Sequence, residues 1–150
     1  MVDLSRNDKT VIVPIDFSQD SVKAIAMGRK HVARPEQLHV VHVVFPFDFI
    51  ESRGVMDEEM LISEELRAEV DAQMTDSIRQ ADAVGASSII LVGDPGLAIA
   101  DYAADIRADL IVVPTHGYHG VKRLFLGSTT ERIIRHANCS VLVIRRSDAD

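Results

Sequence analysis

A chain of 150 residues that is 47% hydrophobic suits one domain, residues 1–150, with a sizeable core and little room for a second. Its formal net charge of -7 excludes a broad nucleic-acid or anionic-membrane surface, because both need clustered basic charge. Cys139 is the single cysteine, which excludes an internal disulfide and a multi-cysteine zinc site; its apolar neighbours suggest a small buried thiol.

In chain order, residues 1–9 are too polar for a signal peptide, and no apolar run reaches the roughly 18 residues that span a bilayer. A cytoplasmic location without membrane insertion is the resulting expectation. Residues 10–15 and 38–44 are short runs rich in β-branched side chains and are predicted strands. Between them Ser18 can cap a helix with Val22, Ile25 and Ala26 on one side. The loop 45–50 carries three aromatics, an apolar tip that suits packing on the domain, a partner or a ligand ring. A long helix follows over 57–84, with Leu66, Val70, Met74, Ile78 and Ala81 as its stripe and Gly85 placed to end it.

Residues 88–92, 110–113 and 141–144 supply three more strands. Asp94-Pro95 is the N-cap and first-turn proline of a third helix, whose inner face is Ile99, Tyr102, Ala103 and Ile106. Ser128 with Glu131 three residues on reads as a capping box, opening a fourth helix in which Ile133, Ile134 and Ala137 can pack on the sheet before Asn138. Near-continuous apolar strands alternating with helices predict an α/β domain, a doubly wound, five-stranded parallel sheet covered on both faces; with the first strand in the middle and the chain winding outward, its order is 3-2-1-4-5.

The link between the fourth strand and the last helix carries the chemistry. Such connections usually take about 2 to 6 residues, whereas this one runs Pro114-Thr115-His116-Gly117, nine residues, then Gly127-Ser128. Its glycines permit close backbone approach, and the helix start beyond Gly127 favours an anion. Two readings stand: a phosphate cradle, or turn geometry with a self-sufficient cap. In open parallel sheets ligands bind beyond the carboxyl ends of strands where the winding reverses, which selects this loop and Asp16 after the first strand. Asp16 can accept from ribose or base, help hold a metal on phosphates, or merely stabilise a helix entry. His116 and His119 invite a metal or catalytic reading, but their order and place differ from the His-x-Gly-His signature of nucleotidylyltransferases, and no metal ligand is assigned. Lys122 and Arg123 can reach phosphates or stay solvated, and His31, His39, His42 and His136 are read as structural residues.

From the 11–18 segment to the 139–144 segment, the chain resembles the universal stress protein family. It is similar to the ATP-binding branch, whose pattern is Gly, two residues, Gly, nine residues, then Gly with Ser or Thr. Gly117, Gly127 and Ser128 match that pattern, and Pro114 replaces its first glycine. The resemblance implies ATP, with Mg²⁺, as cofactor. It places Pro14, Ile15 and Asp16 at the adenosine, and the Val43 main chain at the adenine edge. Val113, Pro114, His116 and Gly117 would line the nucleotide, with Gly127, Ser128, Thr129 and Thr130 on the phosphates. Proline has no N–H and a fixed φ, so a donor or positive φ at position 114 is lost while a carbonyl contact survives. The implied function is regulatory: nucleotide state modulating oligomerisation or a partner. The resemblance further implies a homodimer through the last strand, extending to a tetramer, and a membrane-transporter partner of the kind found beside osmolyte transporters in salt-loving bacteria. A slow ATP hydrolase and a nucleotide-independent scaffold are the alternatives; the chain has no GxxxxGK[ST] signature and no evident water-activating group. No catalytic residue is assigned.

Overall fold

A computed structural model describes residues 8–45, 63–115 and 126–145. His116, Gly117, the basic pair 122–123 and all of the aromatic loop except Phe45 lie outside the described residues.

Five strands form one parallel sheet: β1 (Val11–Pro14), β2 (Leu38–Val44), β3 (Ser87–Val92), β4 (Leu110–Pro114) and β5 (Ser140–Ile144). Their order is β3-β2-β1-β4-β5, so the expected order 3-2-1-4-5 is the one adopted. The crossovers carry α1 (Gln19–Arg29), α2 (Glu64–Gln80), α3 (Pro95–Asp105) and α4 (Ser128–His136), with a 3-10 turn at Pro35–Gln37 ahead of β2.

The two faces of the sheet separate by the period-2 alternation of strand side chains. Val11, Val13, Val40 and Val112 point to one layer, where Ala24 and Ile25 of α1 and Val70, Met74 and Ile78 of α2 cover them. Ile12, Val41, Ile111 and Val113 point to the other, against Ile99 and Ala103 of α3 and Ile133 of α4. Burial on both sides is why the central strands read as unbroken apolar runs. Among the described residues no helix is long and apolar enough to cross a membrane.

Local chemistry sets the helix ends. Residues 57–62 of the expected long helix lie outside the described residues; its described part, α2, begins at Glu64, where the Ser63 hydroxyl accepts from the Leu66 N–H and caps it. The helix stops at Gln80 rather than near Val84: Asp82 turns left-handed (φ 54°), and the Ala83 N–H returns to the Ile78 carbonyl at 3.0 Å. That is a Schellman closure made without glycine, and Gly85 serves the turn after it (φ 101°). In α1 the buried face is Ser21, Ala24, Ile25 and Gly28, while Val22 and Ala26 flank it. On α4 only Ile133 is fully buried; Ile134 points outward at 43% exposure.

The predicted caps of α1 and α3 are both present. Ser18 accepts from the Ser21 N–H, and Asp94 accepts from the Leu97 N–H at 3.1 Å.

A candidate nucleotide cleft

The sheet opens where β1 and β4 part. β1 stays paired with β2 as far as Pro14↔Val41, but its pairing with β4 ends at Ile12↔Ile111. The Ile15 N–H bonds the Val41 carbonyl on the β2 side, and successive strand residues alternate in direction, so the Pro14 nitrogen faces β4. By the same reasoning the Thr115 N–H bonds Ile144 of β5, and the Pro114 nitrogen faces β1. Each proline withholds the donor that would extend the ladder across this gap.

The resulting cleft, about 150 Å³ among the described residues, sits at the topological switch point. Pro14, Ile15 and Asp16 form one wall, and Val113 and Pro114 the facing one. Val43 closes the β2 side, with Thr129 and Thr130 entering from the first turn of α4. These eight predicted site residues therefore come together. Gly127 and Ser128 stand immediately before Thr129 and Thr130, outside the lining itself, and His116 and Gly117 are outside the described residues.

The start of α4 differs from the expected capping box. Gly127 is the N-cap, without a side-chain cap hydrogen bond, and Ser128 is already the first helical residue. Glu131 instead pairs its carboxylate with Arg135 at 2.7 Å, one turn on. A capping box needs its Ser outside the helix; here glycine takes that position, and the first N–H groups of α4 have no partner within the helix. Their partial positive charge lies at the cleft. The Thr130 hydroxyl is turned away from that role, donating to the Pro114 carbonyl at 3.3 Å.

Opposite, Asp16 is the one cleft-lining carboxylate among the described residues. Its Oδ1 accepts from the Ser21 hydroxyl at 2.7 Å and from the Ser18 N–H at 3.0 Å, while the Asp16 N–H donates to Ser21 Oγ at 3.0 Å. Ser21 was not singled out from the sequence. A polar residue on the inner face of a helix carries no periodicity signal, although Asp-x-Ser-x-x-Ser spacing suits this closed turn. The sequence reading also missed His42, read as a structural histidine, and, from the α3–α4 side, Pro95, read as a first-turn proline, with Ile99 and Ile133, read as core positions.

The two helices on that side are locked together. Asp94, besides capping α3, pairs its other oxygen with Arg132 of α4. Gly96 permits the approach, since a Cβ there would lie 2.4 Å from the Arg132 Cβ. Cys139 stands away from the cleft, its thiol pushed up by burial, opposed by a backbone hydrogen bond and reinforced by Asp109. That environment disfavours a thiolate nucleophile.

Residues 8–145 match the model of the universal stress protein family. This chain belongs to the universal stress protein family. A universal stress protein of Methanocaldococcus jannaschii is 33% identical over 144 residues, covering 92% of this chain and 82% of that protein. A solved universal stress protein from the same organism, the subject of a structure-based assignment of biochemical function, is 27% identical, with a TM-score of 0.73 over 94% of this chain and 98% of its own. One solved in complex with cAMP shares the fold at a TM-score of 0.65 and 23% identity, over 93% and 98% of the two chains.

Proposed function

We propose that this universal stress protein binds an adenine nucleotide, ATP with Mg²⁺, in the β1–β4 cleft, and that the bound nucleotide regulates its association with other chains. The observation that carries the reading is the pairing of opposite chemistries across one gap: uncapped N–H groups of α4 on one side and the Asp16 carboxylate on the other. Phosphates suit the first. Ribose hydroxyls or base N–H groups suit the second, with Ile15, Val43 and Val113 offering apolar contact to a flat ring. The cAMP complex adds a precedent for a nucleotide on this architecture, its likeness to this chain being one of fold.

The donor set fits Mg²⁺ in a limited way. Asp16, the single cleft-lining carboxylate among the described residues, faces the nucleoside in this reading, so the ion would be held by phosphate oxygens and water. Mg²⁺ supplies charge neutralisation on the phosphates, and the protein supplies orientation through the α4 N–H groups.

Association through β5 belongs to the same proposal. Val141, Leu142, Val143 and Ile144 lie on an edge strand of the described sheet and are only half-buried, and an apolar edge invites another chain. Val141→Lys should lower the mass in solution if a homodimer forms there; an unchanged mass refutes that interface. Regulation requires nucleotide to favour one assembly state over another, so equal ATP affinity for all states removes it.

The deciding experiment for the cleft is denaturation of freshly purified protein with mass spectrometry of released nucleotide, followed by calorimetric titration with ATP and Mg²⁺. Released adenine nucleotide, or saturable binding weakened by Asp16→Ala, is expected. Absence of both overturns the reading.

A further inference from the structure

We infer that His42 is a positioning residue of the cleft, holding the Asp16 turn in its ligand-facing geometry through the Ile15 carbonyl and the Phe17 ring. The inference rests on the nucleotide reading for its consequence, but its geometric basis is independent of any ligand.

Three observations meet at this side chain. His42 Nδ1 lies 2.9 Å from the Ile15 carbonyl oxygen. A carbonyl can only accept, so Nδ1 carries the proton in this contact. Secondly, the His42 ring meets the Phe17 ring at a centroid distance of 4.4 Å and an interplanar angle of 39°. Thirdly, Phe17 is left-handed, with φ at 68°. That conformation is unfavourable for a residue with a Cβ, and it persists where surrounding contacts over-determine it.

The contacts fall on either side of Asp16. Ile15 precedes it, and its carbonyl is fixed by His42; Phe17 follows it, and its ring rests on His42. The two residues flanking Asp16 thus both touch one β2 side chain, itself in the cleft lining. Ser21 and the Ser18 N–H then fix the carboxylate within that frame. Pairing with β2 ends at the Ile15 N–H, so beyond that point the sheet no longer dictates the backbone and the histidine takes over. His42 does for the turn what the ladder does for the strand.

Side-chain geometry gives a test that separates positioning from packing. Asparagine presents a donor on Cγ, as histidine does at Nδ1, whereas glutamine places its amide one atom farther out. His42→Asn should keep the Ile15 arm of the clamp and His42→Gln should break it, the Phe17 ring contact being lost equally in both. The first readout is amide hydrogen exchange in the nucleotide-free protein at Asp16 and Ser18, with Ile15 as the sheet control. In His42→Gln, Asp16 and Ser18 should exchange about tenfold faster while Ile15 stays protected, and His42→Asn should keep wild-type rates within about threefold. The second readout is ATP affinity, expected to fall about tenfold in His42→Gln and to recover in His42→Asn. Equal exchange rates at Asp16 and Ser18 in all three proteins overturn the inference. So does equal loss in both variants with Ile15 deprotected, which marks a packing role. If wild-type protein binds no nucleotide, the proposed function fails, and the clamp stands or falls on exchange alone.

Discussion

The Pro14 and Pro114 nitrogens face one another's strands across the gap where β1 and β4 separate. In a strand the carbonyl of a residue points to the same side as its nitrogen, so the Pro114 carbonyl also loses a sheet partner, and the Thr130 hydroxyl takes it up at 3.3 Å. A proline in place of the motif's first glycine is therefore accommodated by the strand end rather than being a defect in it. The cleft is held open by missing donors on one side and closed against α4 by a side-chain bond on the other.

Restoring glycine separates these effects. Pro114→Gly keeps the carbonyl that Thr130 bonds but frees the unfolded chain. Stability should fall by about 1 kcal/mol in urea unfolding, with ATP affinity retained within about threefold, a spread of under 1 kcal/mol. A large loss of affinity would assign the proline ring itself a ligand contact.

Thr130→Val is the complementary change. The side chain is buried at 2% exposure, and valine keeps its shape while leaving the Pro114 carbonyl without the hydroxyl. A loss of about 1 to 3 kcal/mol is expected. Thr130→Ser keeps the donor but deletes a buried methyl group, so a smaller loss there than in Thr130→Val shows that the bond outweighs the methyl.

Asp82 and Arg107 close α2 and α3 in left-handed conformations, each with φ 54°. Glycine is the favoured residue there. Asp82→Gly and Arg107→Gly should each stabilise the protein by about 0.5 to 1 kcal/mol, the Cβ penalty outweighing the added freedom of the unfolded chain. The positions lie at the ends of different helices, so their effects should add in a double variant. Midpoints that fall in urea would show that the native side chains contribute contacts worth more than the backbone cost.

His39 supplies the pH dependence. Its Nδ1 is 2.8 Å from the Tyr102 hydroxyl, and burial lowers its pKa below the ordinary 6.5. The unfolded chain therefore takes up a proton at higher pH than the folded one. This contribution to stability is present above 6.5 and is lost as pH falls through that value toward the folded pKa. Wild-type protein should lose more stability than His39→Asn between about pH 7 and pH 5. Parallel stability profiles would assign the acid sensitivity to other groups.

Strand number and the covering of both sheet faces were legible in the sequence because they rest on local signals: apolar runs of strand length, helical stripes, and caps such as Ser18 and Asp94 that act within three residues; the strand order is non-local and followed from winding outward from a central first strand. The switch-point rule led to Pro14, Ile15, Asp16 and Pro114, and the family resemblance supplied Val43, Val113, Thr129 and Thr130, the other four of the eight that meet at the cleft. What tertiary structure alone decided is how polar groups pair over longer distances. The Thr130 hydroxyl went to Pro114 across sixteen residues, and His42 reached back to Ile15 across twenty-seven. A hydroxyl, carboxylate or imidazole can satisfy itself locally or with a distant backbone group at similar free energy, so residue type leaves the choice open. Packing makes it, by bringing one acceptor within 3.5 Å and excluding the water that would otherwise serve.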